Sequence, residues 1–193
     1  MEKKTKTLVI VDAQFDFCYS EGSMAIPGAM EIVKQIANEI PNYDHVVFTL
    51  DWHPSNHCSF AVNGGQWPEH CVNYTTGAGI IDDLLITADE NCESVTVYKK
   101  GRNSNEEEYG AFKELVDENY KPNYEGVEAK TLFDISDEIV VCGFAGGYCV
   151  NETLLNIKNG GYSGKLSLDK NCTALLCEKE DFEKFLENNE IKA

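Results

Sequence analysis

The chain has 193 residues, of which 42% are hydrophobic and 25% are charged. This length suits one domain over residues 1–193 with a sizeable core, and the composition is that of an ordinary globular protein. The formal net charge of −17 repels nucleic-acid phosphates and anionic lipid head groups, which argues against nucleic acids and membranes as partners.

The N-terminal stretch predicts no targeting segment. Only four apolar residues, 8–11, precede Asp12, which is too short for the apolar part of a signal peptide, and no run in the chain approaches a membrane span. The eight cysteines contain no C-x2-C pair of the kind that binds structural zinc. We therefore expect a cytoplasmic protein with reduced thiols.

Apolar runs and amphipathic stretches alternate along the whole chain. Continuous apolar runs typical of buried parallel strands lie at 7–12, 46–50, 95–98, 139–143 and 165–169. Helical patterns follow at 28–40, 79–88, 106–118, 131–137, from residue 149 and from residue 178, with a surface excursion expected at 119–127. This alternation predicts an α/β fold, a three-layer α/β/α sandwich with a mainly parallel sheet and right-handed crossovers.

The second strand runs into the most polar stretch of the chain. Asp51, His53, His57 and His70 follow it within twenty residues, and the protein has only four histidines. Asp51 and His53 are two positions apart, so they point to the same side of an extended segment. Carboxylate and imidazole ligands in one group predict a divalent-metal site, although hydrogen bonding to the backbone is an alternative for each single histidine.

Other chemical groups end neighbouring strands. Asp12 follows the first strand, Lys100 ends the third and Cys149 follows the fourth. Because parallel strands bring their carboxyl ends to one edge, we expect these side chains to converge there with the metal ligands. Each residue also has a structural alternative: a turn cap for Asp12, an exposed lysine for Lys100 and a buried thiol for Cys149.

Cys149 stands after a glycine-rich turn at the start of a predicted helix. The helix dipole, the free N–H groups and a nearby lysine would favour the thiolate, and an aspartate could accept the thiol proton. The aromatic residues Phe17, Trp67 and Tyr109 are either part of the core or sandwich a flat substrate ring beside the site.

At this point the chain resembles the nicotinamidase branch of the isochorismatase-like cysteine hydrolases. The resemblance covers residues 7 to about 175 and rests on five motifs: VDAQFDF (11–17), DWHPSNHCSF (51–60), WPEHCV (67–72), Lys100-Gly101 and GFAGGYCV (143–150). The second and third motifs are typical of the metal-bearing nicotinamidases, and the others mark the wider superfamily.

The resemblance implies a role for each group of site residues. The implied catalytic triad is Asp12, Lys100 and Cys149; the implied oxyanion hole is the backbone N–H groups of Ala145 and Cys149; Phe17 and Trp67 flank the ring; and Asp51, His53 and His70 bind the metal. His57 matches a position that is a direct metal ligand in some members and lines the site in others. The bond between Phe144 and Ala145 matches a position that is cis in the family.

The implied activity is metal-dependent hydrolysis of nicotinamide to nicotinate and ammonia through a thioester, in NAD salvage. Zinc is the expected metal, and iron or manganese also suits the ligands; a homo-oligomer is possible in this family. Gly146-Gly147 departs from the Thr-Asp that members commonly carry, which leaves open a weakly active nicotinamide-binding relative. Another small-amide hydrolase of the superfamily is a second alternative, and a structural zinc site built from His57, Cys58, His70 and Cys71 is a third.

Overall fold

The computed structural model describes residues 3–120 and 129–193. The predicted surface excursion at 119–127 lies almost entirely outside the described residues. Five strands form one sheet: β1 (Lys6–Val11), β2 (His45–Asp51), β3 (Ser94–Lys100), β4 (Glu138–Gly146) and β5 (Lys165–Leu175). All of them pair in parallel in the order β3-β2-β1-β4-β5, which confirms the predicted α/β fold.

In the described part of the chain, six α-helices lie between and after the strands. They are α1 (Phe15–Cys18), α2 (Ala29–Glu39), α3 (Asp82–Asn91), α4 (Ala129–Ile135), α5 (Cys149–Asn159) and α6 (Lys179–Asn188), with short 3-10 turns at Ile40–Asn42, Ala61–Asn63, Thr76–Ala78 and Lys113–Leu115. None of the helices in the described residues is long and apolar enough to cross a membrane.

The sheet divides the core into two layers because successive strand residues face opposite sides. Leu8 and Ile10 of β1 pack on one side with residues of α2 and α3. Val9 and Val11 pack on the other side with residues of α4, α5 and α6. Both faces are therefore covered by helices, as the continuous apolar strands predicted.

Two local features differ from the predicted elements. The helix predicted at 106–118 is wrong: only the 3-10 turn Lys113–Leu115 forms there. Beyond the predicted strands, the C-terminal residues add a single bridge, between Ser167 and Lys192. The first difference matters at the carboxyl edge of the sheet, because residues of the segment 106–118 lie there.

Candidate active site

A fully buried amine joins the polar groups at the carboxyl edge of the sheet. Lys100 is the last residue of β3, Asp12 follows β1 and Cys149 begins α5. The Nζ atom of Lys100 lies 2.8 Å from Oδ2 of Asp12, 2.6 Å from Oδ1 of Asp51 and 3.5 Å from the Sγ atom of Cys149. The structure thus brings together the three residues predicted as a triad, and it links them directly to Asp51.

The backbone and Thr49 hold the Asp12 carboxylate in place. Asp12 adopts a left-handed conformation with φ of 49°, which aspartate tolerates better than most residues. Its N–H donates to the Thr49 carbonyl at 3.0 Å, and its Oδ1 accepts the Thr49 hydroxyl at 2.8 Å. Oδ2 lies against the Lys100 amine and has no hydrogen bond of good geometry.

Burial and mutual charge set the protonation of this cluster. Burial opposes the charge on Lys100, but Asp12 and Asp51 raise its pKa well above the usual value. Burial likewise raises the pKa of Asp12, although Lys100 opposes that shift. Burial raises the pKa of the Cys149 thiol well above its usual range, and Asp12 adds to this against the pull of Lys100. The sequence-based expectation of a lowered thiol pKa is therefore wrong, because burial outweighs the lysine and the helix start.

Asp51, His53 and His70 form a compact group of ligand atoms. Their ligand atoms all lie within 4.8 Å of one another, with Nε2 of His53 3.5 Å and Nε2 of His70 3.8 Å from Oδ2 of Asp51. Nδ1 of His53 bonds to the Gly101 carbonyl at 2.9 Å and Nδ1 of His70 to the Pro68 carbonyl at 2.8 Å. Both Nε2 atoms are thereby left to face a metal. Two imidazoles and a carboxylate suit a divalent transition metal.

Two supporting residues were missed by the sequence reasoning. The Gln14 side chain accepts from the Asp51 N–H at 2.9 Å and donates to the Asp51 and Ala78 carbonyls at 2.8 and 3.0 Å. Asp16 accepts the Cys71 N–H at 2.7 Å and so ties the segment that bears His70. The available signal was their spacing: Asp12, Gln14 and Asp16 are polar residues at every second position just after a buried strand.

Gly101 is required next to His53. Its φ is +66°, and a Cβ atom there would lie 2.4 Å from Cε1 of the His53 ring. Any side chain at this position would displace a predicted metal ligand, which gives a physical reason for the Lys100-Gly101 pair.

His57 is engaged differently from the other two site histidines. Its Nδ1 accepts the Ser59 N–H at 3.2 Å and lies 2.7 Å from the Ser59 hydroxyl, and its Nε2 lies 3.1 Å from the Glu106 carbonyl. Its ring stacks on His53 with centroids 4.1 Å apart, and burial lowers the pKa of His57 to about 4. Both ring nitrogens face protein partners, and His57 is not a member of the compact ligand group.

A small pocket opens above Cys149. Phe17, Trp67 and Tyr109, the three aromatic residues predicted to flank a ring, all line it. The Tyr109 hydroxyl accepts the Trp67 Nε1–H and the Gln66 amide, each at 3.0 Å, which fixes the two rings. Asp51, His70 and Ala145, which were predicted as site residues, also line the pocket. Its other lining residues were not predicted and include Met24, Glu107, Tyr148 and Leu176.

The turn before Cys149 carries the predicted oxyanion donors. The Phe144–Ala145 peptide bond is cis, as the resemblance implied, and Ala145 and Cys149 both border the pocket. The N–H of Gly147 is held by Oδ1 of Asn151 at 2.9 Å. At Gly147, which has φ of +100°, a Cβ atom would lie 2.8 Å from the Cys177 side chain. At Gly146 a Cβ atom would lie 2.5 Å from the Leu175 side chain. Both Gly146 and Gly147 therefore lie where neighbouring side chains leave no room for a Cβ atom.

A thiol, an amine and a carboxylate in contact beneath a pocket at the sheet edge define the class of the protein as a hydrolytic α/β enzyme. Residues 6–188 match the isochorismatase domain, and the chain belongs to that family. Among curated relatives, a Mycobacterium tuberculosis nicotinamidase/pyrazinamidase is 33% identical over 170 residues, which cover 85% of this chain and 84% of the relative.

Two solved structures are also similar to this chain over nearly its whole length. Pyrococcus horikoshii pyrazinamidase in complex with zinc superposes with a TM-score of 0.75 at 29% identity, covering 97% of both chains. PnC1 from L. infantum in complex with nicotinate superposes with a TM-score of 0.79 at 28% identity, covering 98% of this chain and 91% of the other.

Proposed function

We propose that this protein is a metal-dependent nicotinamidase that hydrolyses nicotinamide to nicotinate and ammonia through a thioester on Cys149. The relatives named nicotinamidase and the family match support hydrolysis of an amide bond. The observation that carries the proposal for this chain is the buried amine of Lys100, within 3.5 Å of Cys149 and in contact with both Asp12 and Asp51.

The proposed first half-reaction follows from the contacts of the cluster. Asp12, as a carboxylate paired with Lys100, would accept the thiol proton at Oδ2 as the Cys149 sulfur attacks the carboxamide carbon. Lys100 stabilises the negative charge that moves between the two groups. The carbonyl oxygen becomes an oxyanion that accepts from the N–H groups of Ala145 and Cys149, and Asp12 returns the proton to the departing ammonia.

The second half-reaction regenerates the thiol. A water that gives its proton to Asp12 attacks the thioester carbon, the carbon–sulfur bond breaks, and the sulfur recovers the proton. The balance is one amide and one water consumed for one carboxylic acid and one ammonia. Phe17 and Trp67 would hold the ring between them while both steps occur.

The residues that would hold the metal are Asp51, His53 and His70, whose ligand atoms fit one divalent ion. When bound, such an ion supplies a Lewis acid that can take the ring nitrogen of the substrate as a ligand. The zinc complex of the related P. horikoshii protein supports zinc as the metal. Asp51 would then have two roles, since its other oxygen contacts Lys100 at 2.6 Å.

The test is ammonia release by the purified protein from a panel of amides, with and without a chelator. We expect turnover of nicotinamide that falls at least tenfold on metal removal and returns with zinc. Undiminished turnover after complete metal removal would contradict metal dependence, and turnover of other amides alone would contradict the substrate.

Two cysteine variants test the covalent route. Cys149→Ala should abolish ammonia release and keep its metal, because Cys149 is not in the ligand group of Asp51, His53 and His70. The matched control is Cys92→Ala, since Cys92 lies at the end of α3 and its thiol donates to the Ile40 carbonyl, away from the site. Full activity of Cys149→Ala would remove the thioester from the scheme.

A further inference from the structure

Three successive carboxylates follow β3 at 106–108, and the structure gives each a different environment. Glu106 forms an ion pair with Lys113, and Glu108 accepts the Gly101 N–H at 2.9 Å. Glu107 instead lines the pocket above Cys149, beside Tyr109 and Ala145. Neither the proposed triad nor the metal ligands use it.

The Glu107 carboxylate has no directly paired cation in the described part of the chain, although His53 and Lys100 attract its charge from further away. Oε1 accepts only the Glu108 N–H at 3.2 Å, and within the described ranges no lysine or arginine forms an ion pair with Glu107. None of the described residues that line the pocket is a lysine or an arginine. Burial, followed by the repulsion of Asp51, raises the pKa of Glu107, and His53 and Lys100 oppose this shift.

Substrate and product of the proposed reaction differ in charge at one group. The carboxamide is neutral, whereas the carboxylic acid formed from it ionises at neutral pH. When Glu107 is ionised, its negative charge on the pocket wall leaves the first almost unaffected and repels the second. Like charges facing each other across a site are a common means of rejecting a competing ligand.

We propose, on the basis of the nicotinamidase function above, that Glu107 sets the charge preference of this pocket: its unpaired carboxylate admits neutral amides and expels the anionic acid product. Glu107 is thus a specificity residue that limits product inhibition. It also makes amides that carry an additional carboxylate poor substrates.

The experiment measures binding by calorimetry in the zinc-loaded Cys149→Ala protein, which cannot turn over. Nicotinamide and nicotinate are titrated into this protein and into the same protein with Glu107→Gln or Glu106→Gln. Glutamine keeps the oxygen that accepts the Glu108 N–H and removes the charge. Glu106→Gln removes one charge from the neighbouring position, where the side chain pairs with Lys113, and so controls for net charge.

We expect Glu107→Gln to tighten nicotinate binding roughly tenfold, the effect of one like charge across a partly solvated pocket, and to change nicotinamide binding less than about threefold. Glu106→Gln should leave both affinities within about twofold, because exposed charges are screened. Product inhibition of the Glu107→Gln enzyme with intact Cys149 should increase by the same factor.

Two results would overturn the inference and differ in their meaning. If nicotinamide binds and nicotinate affinity is unchanged by Glu107→Gln, or changes equally in Glu106→Gln, the inference is wrong and the proposed function is untouched. If nicotinamide does not bind the zinc-loaded protein at all, the proposed function fails and the charge preference fails with it.

Discussion

At the scale of single residues, the Lys100 amine determines whether the site can exist. A buried ammonium is costly unless it is paired and hydrogen-bonded, and Lys100 has no exposed surface. It is tolerated because two carboxylates contact it, Asp12 at 2.8 Å and Asp51 at 2.6 Å. The same two carboxylates repel each other without it, so the proposed catalytic and metal-binding groups depend on one cation.

Lys100→Met should therefore destabilise the fold as well as abolish ammonia release. It leaves Asp12 and Asp51 buried with no cation, and breaking such a cluster costs about 3 kcal/mol. Urea denaturation followed by circular dichroism measures the loss. The control is Lys99→Met, because the Lys99 amine lies over the Trp52 ring and its loss costs at most about 1 kcal/mol. Equal stability of the two variants would contradict the role given to Lys100.

Gln14 is not a proposed metal ligand, but it holds the ligand Asp51 in place. Its amide bonds to both backbone groups of Asp51, and loss of such outer support typically weakens metal affinity 10–100-fold, so we expect roughly tenfold for Gln14→Ala. Competition with a zinc chelator gives the affinity directly. Gln66→Ala is the matched control, since Gln66 bonds to the Tyr109 hydroxyl at the pocket rim. Unchanged zinc affinity in Gln14→Ala would show that Asp51 is held by other contacts.

At the scale of elements, the strands were predictable because their apolar runs are continuous and end in polar residues. The segment 106–118 was not, because side chains of another helix bind both backbone groups of Ala111 in the middle of it. The Ala111 N–H donates to the Thr153 hydroxyl and the Ala111 carbonyl accepts the Asn156 amide, at 3.1 and 2.8 Å, and Phe112 adopts a φ of 64°. Tertiary partners here overrode a helical pattern.

The site residues at the strand ends were predictable because the strands themselves were. Groups that end parallel strands converge by topology, which brought Asp12, Lys100 and Cys149 together with Asp51. Gln14 and Glu107 were not identified, because hydrogen bonds to backbone and the lining of a pocket leave no periodic pattern in a sequence. The thiol pKa was misjudged since burial is a property of the folded chain.

The turn between β4 and α5 allows a test of packing at this scale. Gly147→Ala adds a side chain at φ of +100°, and its Cβ would lie 2.8 Å from the Cys177 side chain. Gly161 has φ of +85° with nothing within 4 Å of a Cβ, so Gly161→Ala isolates the backbone cost of about 1 kcal/mol. We expect Gly147→Ala to lose about 2 kcal/mol or more and most of its kcat.

Denaturation midpoints and kcat, measured on the same preparations, separate the two glycine variants. Because Gly147 belongs to the turn that carries Ala145 and Cys149, displacement there should lower kcat more than KM. If Gly147→Ala and Gly161→Ala lose equal stability and both keep kcat, the contact with Cys177 does not constrain the turn.

At the scale of the whole molecule, metal binding and folding should be coupled, because the ligands Asp51, His53 and His70 come from β2 and from a loop nearly twenty residues further on. A ligand that binds only the folded state stabilises it by about 2.7 kcal/mol at a concentration one hundred times Kd. For a chain of this size that raises Tm by roughly 5–10 °C. The zinc-loaded protein should therefore melt at a higher temperature than the chelated protein.

The four histidines allow this coupling to be assigned to the site. His70→Ala removes one of the three grouped ligands and should abolish the zinc-dependent rise in Tm. His45→Ala is the matched control, because His45 begins β2 and bonds to the Ser94 hydroxyl at 2.8 Å, so its baseline Tm can fall while the rise with zinc persists. Thermal melts over a zinc series provide the measurement. A rise of the same size in His70→Ala would mean that the stabilising zinc binds elsewhere, for instance at the partly exposed thiols of Cys58, Cys92 or Cys177.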